Sequence, residues 1–384
     1  MNRFWQQLAI ATNWPVLVAV VLLSLVGVVT IWSHDPDTGR KQLMFMGIGV
    51  GCMFLFQTVN YQRLGRYAWP FYAVSLLLCI YTILPGVPEH GIGSVPRING
   101  AKAWIDLGPL HLEPAELMKI AFVGVLARYL RFRSNYRTLI GLLFPFALAL
   151  VPLVLILKQP ALGMAMLFIP TLFAMLFIAG ARKRHLLGIV MIGLSLIPVA
   201  WVAGKDVPGS GHVPLFMQPY QWKRIKAMVS HDPATDYQQE HALIAFASGG
   251  GLGKGLGNIP VGEHVPEAHN DMIFALIGEQ LGFFGSALVL ILYVVLFTAG
   301  VEIAGSTREP FGRLMALGIV ALLVGQTFLN LTVCVRLMPV TGITLPFISY
   351  GGSSLLASFM AAGLLLNVGQ NRPIVMAKNS FEYG

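Results

Sequence analysis

Charge is scarce in this sequence. Only 11% of its 384 residues are Asp, Glu, Lys or Arg, against about 25% in a soluble globular domain. That excludes an ordinary water-soluble enzyme. Cysteine is scarcer still. Cys52, Cys79 and Cys334 each lie in an apolar run without metal-type spacing, so neither a disulfide framework nor a zinc site is implied. Acidic residues are outnumbered 17 to 26 by Lys and Arg, giving a net charge of +9. In a soluble protein that excess points to nucleic acid. Here the Lys- and Arg-rich cytoplasmic loops of a membrane protein account for it, and no nucleic-acid partner is expected. There is no internal repeat and no low-complexity tract.

What the chain has instead is apolar length. The hydrophobic fraction is 56% and the mean hydropathy is +0.70, far from a disordered composition. Residues 15–32 carry no charge, enough to cross the hydrocarbon core as a helix. A membrane β-barrel would show short alternating segments instead. Similar runs predict ten spans, at 15–33, 42–59, 68–86, 114–131, 138–157, 163–180, 186–204, 271–300, 312–335 and 346–368. The expected fold is an all-α polytopic membrane protein, a single integral domain over 1–384. No small-residue cleavage site follows the first run, which reads as a retained helix.

Alternate loops collect the cations: Arg63 and Arg66, Arg128 to Arg137, Arg182 to Arg184, Arg308 and Arg313. The short loops between them hold only Arg40, Lys41, Lys158 and Arg336. The positive-inside rule then places both termini in the cytoplasm. Two long loops, 87–113 and 205–270, fall outside, so chemistry is expected on the outer face. The second contains an apolar stretch at 241–259, expected to pack on the helices or dip into the bilayer edge.

Charges at a membrane boundary are costly and usually functional or paired. Residues 113–119 read EPAELMK. Pro114 suits a helix start, Glu116 the positive end of its dipole, and Lys119 lies one turn on along the same face. The pair is either a structural salt bridge or a cationic site for an anionic lipid head group at the outer surface. In residues 266–285, PEAHNDMIFALIGEQLGFFG, Asp271 sits where the long loop becomes the eighth span, and Glu279 lies about two turns further on the same face. Asp271 is either a helix cap or a partly desolvated carboxylate suited to general-base work. Glu263, His264, Glu267 and His269 lie nearby but match no tight ligand motif. No tightly bound cofactor is expected. A divalent cation, Mg²⁺ or Mn²⁺, would bridge a carboxylate and a substrate diphosphate only weakly.

The stretch 248–257, SGGGLGKGLG, fails as a P-loop, since Ser248 replaces its first Gly and Gly255 follows Lys254. A flexible loop or a backbone cradle for phosphate is the reading that remains. Residues 219–228, PYQWKRIKAM, form a basic, aromatic segment of the membrane-surface type. There Tyr220, Gln221 and Arg224 could hold a sugar or phosphate, with Arg224 otherwise a plain surface charge. Residues 339–359, PVTGITLPFISYGGSSLLASF, break helices at Pro339, Gly342 and Pro346. Ser349 and Ser353 there serve either close packing or a polar cavity lining.

Six of these segments, in this order, resemble the SEDS family of membrane proteins, whose members include RodA and FtsW. They are NGAKAWIDLGPLHLEPAELMKI at 99–120, KQPALG at 158–163, PYQWKR at 219–224, the Gly-rich 249–257, residues 266–285, and PVTGITLPFISYGGSSLL at 339–356. The resemblance covers essentially the whole chain. It implies a ten-helix, GT-C-like glycosyltransferase of the bacterial cytoplasmic membrane that polymerises lipid II into glycan strands, working with a class B penicillin-binding protein. It places the catalytic carboxylate on Asp271. The substrate-binding positions it implies, together with those read above, are Trp104, His111, Glu116, Lys119, Tyr220, Gln221, Arg224, His269, Glu279, Ser349 and Ser353. His111 stands where the family has Arg, Ala161 where it has Asp, Asn270 where it has Thr, and Glu113 where it has Gln. The short tails and the WIDLG stretch look more like RodA than FtsW, implying cell elongation. The rival reading is a lipid II flippase.

Overall fold

The computed structural model describes residues 12–97, 101–108, 111–207, 211–215, 217, 219–230 and 237–370. Helices dominate it, and one covers each of the ten predicted segments. The first three are α1 (Trp14–His34), α2 (Pro36–Thr58) and α4 (Ala68–Ile83), with the short α3 (Tyr61–Arg66) between the last two. Next come α5 (Pro114–Phe132), α6 (Leu143–Lys158), α7 (Leu162–Ala179) and α8 (Lys183–Val202). After two short surface helices, α9 (Pro219–Ser230) and α10 (Tyr237–Ser248), the bundle closes with α11 (Ile273–Ser306), α12 (Pro310–Cys334) and α13 (Gly352–Gln370).

Local chemistry sets the helix starts. Asn13 accepts from the Val16 amide at 3.2 Å to cap α1. Asp35 caps α2 through the Asp37 and Thr38 amides, with Pro36 behind it. Glu309 caps α12 through the Phe311 and Gly312 amides and also pairs with Arg131 at 3.0 Å. That second contact ties the start of α12 to the end of α5.

Seven of the described helices are long and apolar enough to cross a membrane. Three predicted spans miss that standard for readable reasons. The first turns of α2 carry Asp37, Arg40 and Lys41. At 16 residues, α4 reaches about 24 Å at 1.5 Å per residue, short of the roughly 30 Å core. Four charges sit along α5: Glu116, Lys119, Arg128 and Arg131. Of the seven, α13 is the most enclosed, 89% buried along its apolar stretch, whereas α8 is only 6% buried.

Each long loop contains a small antiparallel hairpin. In the first, β1 (Ile105–Asp106) pairs with β2 (His111–Leu112), Asp106 facing His111. In the second, β3 (Lys205–Val207) pairs with β4 (Gly211–Val213). The apolar stretch 241–259 packs on the bundle: Phe246 of α10 stacks on Phe274 of α11 at 5.3 Å. The predicted tenth span begins later than expected. Residues 346–351 form turns, with Phe347 at φ 68° and Gly351 at φ 157°, and helix starts only at Gly352.

That irregular segment is bolted in place by side chains. Tyr293 donates to the Pro346 carbonyl at 2.5 Å, Gln42 to the Ser349 carbonyl at 3.0 Å, and Gln326 to that of Thr344 at 3.0 Å. Non-helical backbone at membrane depth is tolerated only where protein satisfies it, and three helices supply the donors here. A second irregularity interrupts α11 at Gly282, with φ 64° and ψ −160°, a conformation essentially confined to glycine. A Cβ there would also collide with the backbone of Gly251 and Gly253. Gly282→Ala is expected to destabilise the fold by about 1–3 kcal/mol from backbone strain alone, measured as a lowered unfolding temperature in detergent.

Candidate active site

Asp271 ends the turn before α11. The helix is capped by Met272 without any side-chain cap bond, so Asp271 is not a helix cap. Its backbone is held from α12: Asn330 Nδ2 donates to the Asp271 carbonyl at 2.7 Å and to that of Ile343 at 2.7 Å. Gln238 Nε2 donates to Asp271 Oδ1 at 3.2 Å and to the Pro266 carbonyl at 2.9 Å. Asp271 is only 8% exposed. Burial pushes its carboxyl up to about 7, and Glu267 adds to the rise; its own amide, the Arg224 guanidinium and Gln238 pull the other way.

The neighbouring parts come from three segments. Helix α9 brings Gln221, which is buried, and Arg224, whose guanidinium donates to the Val340 carbonyl at 2.9 Å. That bond ties the basic segment to the irregular one. Gln239 of α10 anchors from behind, donating to the carbonyls of Val333 and Met338 at 2.8 and 2.7 Å. His269 packs its ring edge-on to Tyr350 at 5.6 Å, and its carbonyl accepts from the Tyr350 amide. Burial holds His269 below the usual histidine range despite Glu267 and Asp35 nearby. Tyr220 lies outside the described side chains.

Several expected ligands have other duties. Lys119 is not at the outer surface. It is 3% exposed, pairs with Glu116 at 2.9 Å, and donates to Gln326 Oε1 at 2.9 Å. Its second turn of helix carries it into the bundle between α5 and α12. Glu116 Oε1 has no hydrogen-bond partner and borders a small cavity shared with Lys119 and Gln326. Trp104 hydrogen-bonds to Glu113; burial and then the Glu116 carboxylate push Glu113 up to about 8, so it holds a proton at neutral pH. Ser353 accepts from the Glu113 amide at 3.0 Å and donates to the His111 carbonyl at 2.5 Å, fixing α13 to the first hairpin. The exposed His111 ring lies 3.8 Å from Asp106. Ser349 accepts from the Leu345 amide at 2.7 Å inside its own turn.

Glu279 is not paired with Asp271 either. It is fully buried and accepts from Lys254 Nζ at 2.6 Å and from the Val261 and Gly262 amides at 3.1 and 2.7 Å. The Gly-rich loop is therefore a clamp on α11 and not a phosphate cradle. The amides of Lys254 and Gly255 already donate to the Glu279 and Gln280 carbonyls. Among the described residues no group of three or more His, Cys, Asp or Glu is arranged to hold a metal ion. An apolar cavity of about 330 Å³, bordered by Phe56, Phe71, Ile120 and Met315, has Tyr67 as its one polar side chain and no charged group, and Asp271 does not line it.

Two residues escaped the sequence reading, Gln238 and Asn330. Asn330 had a usable signal, an amide inside an apolar span, where polar groups are seldom idle. Gln238 had none, because α10 is placed over Asp271 only by folding.

The family of cell cycle proteins named for FtsW, RodA and SpoVE matches residues 3–373. The chain belongs to this SEDS family. It is 34% identical over 376 residues to Stage V sporulation protein E of Bacillus subtilis, covering 92% of this chain and 95% of that one. It is 33% identical to the probable peptidoglycan glycosyltransferase FtsW of Trichlorobacter lovleyi, over 92% and 91% of the two chains. Among solved structures it matches a chain of a peptidoglycan synthase complex, described as coordinating polymerization and crosslinking, at 30% identity and a TM-score of 0.80, covering 95% and 99%. The rod shape determining protein RodA of Thermus thermophilus matches at 29% identity and a TM-score of 0.67, over 94% and 97%. Like its family, this is a helical, multi-pass membrane protein.

Proposed function

We propose that this SEDS protein is a peptidoglycan glycosyltransferase of the bacterial cytoplasmic membrane, polymerising lipid II on the outer face beside a class B penicillin-binding protein. The observation that carries it is the state of Asp271: a buried carboxylate, poised near pH 7, whose backbone is fixed by Asn330 and whose Oδ1 accepts from Gln238. A transport site is expected near the bilayer midplane. Asp271 precedes the first turn of α11, which favours the enzyme over a flippase. Relatives named as glycosyltransferases support the same reading.

In this reading the acceptor's 4-hydroxyl on N-acetylglucosamine gives its proton to Asp271 as its oxygen bonds to C1 of the donor N-acetylmuramic acid. The C1–O bond to the diphosphate breaks on the opposite face, so an α-linked donor gives a β-linked product. Diphosphate leaves as an anion and requires no acid, so one carboxylate suffices, unlike the pair in glycoside hydrolysis. Arg224, which already acts on Asp271 electrostatically, is the cation placed to offset the leaving charge. A divalent cation, if one takes part, would arrive on the substrate's diphosphate and neutralise its charge. The elongation role rests on the WIDLG stretch; restoring rod shape to cells depleted of RodA, but not division to cells depleted of FtsW, is its test.

The test of the activity is lipid II polymerisation by the purified protein with its penicillin-binding partner, the transpeptidase blocked. Long glycan strands are expected, and their absence from a folded complex would overturn the reading. Because a base works only when deprotonated, the rate should fall about tenfold per pH unit below 7 and level off above it. Gln238→Ala removes a hydrogen bond that favours the carboxylate. It should move that limb to higher pH and slow the reaction at pH 7, about tenfold. An unmoved limb would take Gln238 out of the site.

A further inference from the structure

At the far end of α5 from Glu113, about 28 Å along a helix of 19 residues, lies a cleft of about 420 Å³ between α4, α5 and α6. Its walls include Trp69, Tyr129, Phe132 and Phe144, and two cations, Arg128 and Arg133. Among the described residues no carboxylate borders it. The acidic group of this corner, Glu309, is already committed to Arg131 and to the first amides of α12. Arg128 uses one donor on the Gly65 carbonyl at 2.6 Å and lies 5.6 Å from the centre of the Phe132 ring. Among the described residues the rest of its guanidinium fork has no hydrogen-bond acceptor. Arg133 is exposed at the end of α5 and, among the described residues, forms no ion pair.

Two uncompensated guanidiniums in an aromatic cleft, at the end of a membrane-length helix, match one chemistry. We propose that this cleft binds the phosphate head group of an anionic phospholipid, on the leaflet opposite the candidate active site. The apolar neighbours say that the phosphate arrives on a lipid. Leu139, Ile140 and Leu143, which lead into α6 beside the cleft, are all well exposed and form a surface for acyl chains. Trp69 and Tyr129 are amphipathic rings of the type that settle at head-group level. Basic pockets between helices on the cytoplasmic side are recognised sites for anionic head groups. This site does not depend on the polymerase reading.

Native mass spectrometry of the full chain, loaded with phosphatidylglycerol or with phosphatidylcholine in neutral detergent, tests it. The protein should retain phosphatidylglycerol in preference. Arg133→Gln should weaken retention about five-fold, the equivalent of about 1 kcal/mol for one cation at the surface. Arg128→Gln combined with Arg133→Gln should weaken it further. Arg308→Gln, an exposed arginine outside the cleft, should change nothing. Unaltered retention by Arg133→Gln overturns the proposal, and so does an equal loss in Arg308→Gln, which would mean diffuse charge attraction. Displacement of the lipid by inorganic phosphate at matched concentration would reassign the cleft to a soluble anion and overturn it as well.

Discussion

Asp271→Asn is expected to stop strand synthesis, by about a hundredfold to ten-thousandfold, the usual contribution of a general base, while the protein stays folded. The substitution keeps the shape and removes the charge. The two bonds that fix this residue from Asn330 and Cys334 go to its backbone carbonyl, so they survive. Stability should even rise at alkaline pH. In the fold the carboxyl is raised from 3.8 to about 7, so between those values the native state binds more protons than the unfolded chain. Its contribution to stability therefore falls as pH rises from about 4 to about 7 and stays low above that. The amide carries no such penalty. Lipid II turnover and unfolding temperature, read on one preparation at pH 8, separate the two effects. Turnover within tenfold of wild type would sink Asp271 as the base.

Lys119→Met should fail in the opposite manner, by unfolding. Glu116 and Lys119 are 1% and 3% exposed and bonded at 2.9 Å. Removing one member of a buried ion pair strands the other charge and costs about 3–5 kcal/mol. Replacing both by neutral groups of similar size is often tolerated. Glu116→Gln combined with Lys119→Met should therefore recover most of the lost stability, leaving Gln326 to be repartnered. Denaturation in mixed micelles would read both. If the single variant is as stable as wild type but inactive, Lys119 meets substrate after all, and the buried pair opens during the reaction.

The sequence made the spans legible because apolar length is a one-dimensional property. It located α1, α7 and α12 to within a few residues, and the hinge from loop to helix at Asp271. It also marked residues 339–351 as irregular, since Pro339, Gly342 and Pro346 forbid a continuous helix. Partnership was not legible. Glu279 shares a helix face with the Asp271 position, yet its carboxylate turns to Lys254, 25 residues earlier. Lys119 follows Pro114 closely enough to suggest the surface, but one extra helical turn carries it into the interior. Gln238 reaches Asp271 across 33 positions, and no local pattern announces a contact of that range. Wherever a charge or amide serves a distant partner, only the folded arrangement reveals which.

The enclosure of α13 has a consequence for how the protein is made. It is the last described helix to leave the ribosome, yet it fills the middle of the bundle, with Asn367 bonded to the Phe56 and Gln57 carbonyls and to the Tyr61 amide. Until it arrives, α2 and α5 must wait in the bilayer with their inner faces covered by lipid or by an insertion chaperone. Synthesis interrupted before residue 352 would leave a hollow assembly that quality-control proteases should recognise, so nascent chains are expected to gain protease resistance in one late step rather than helix by helix.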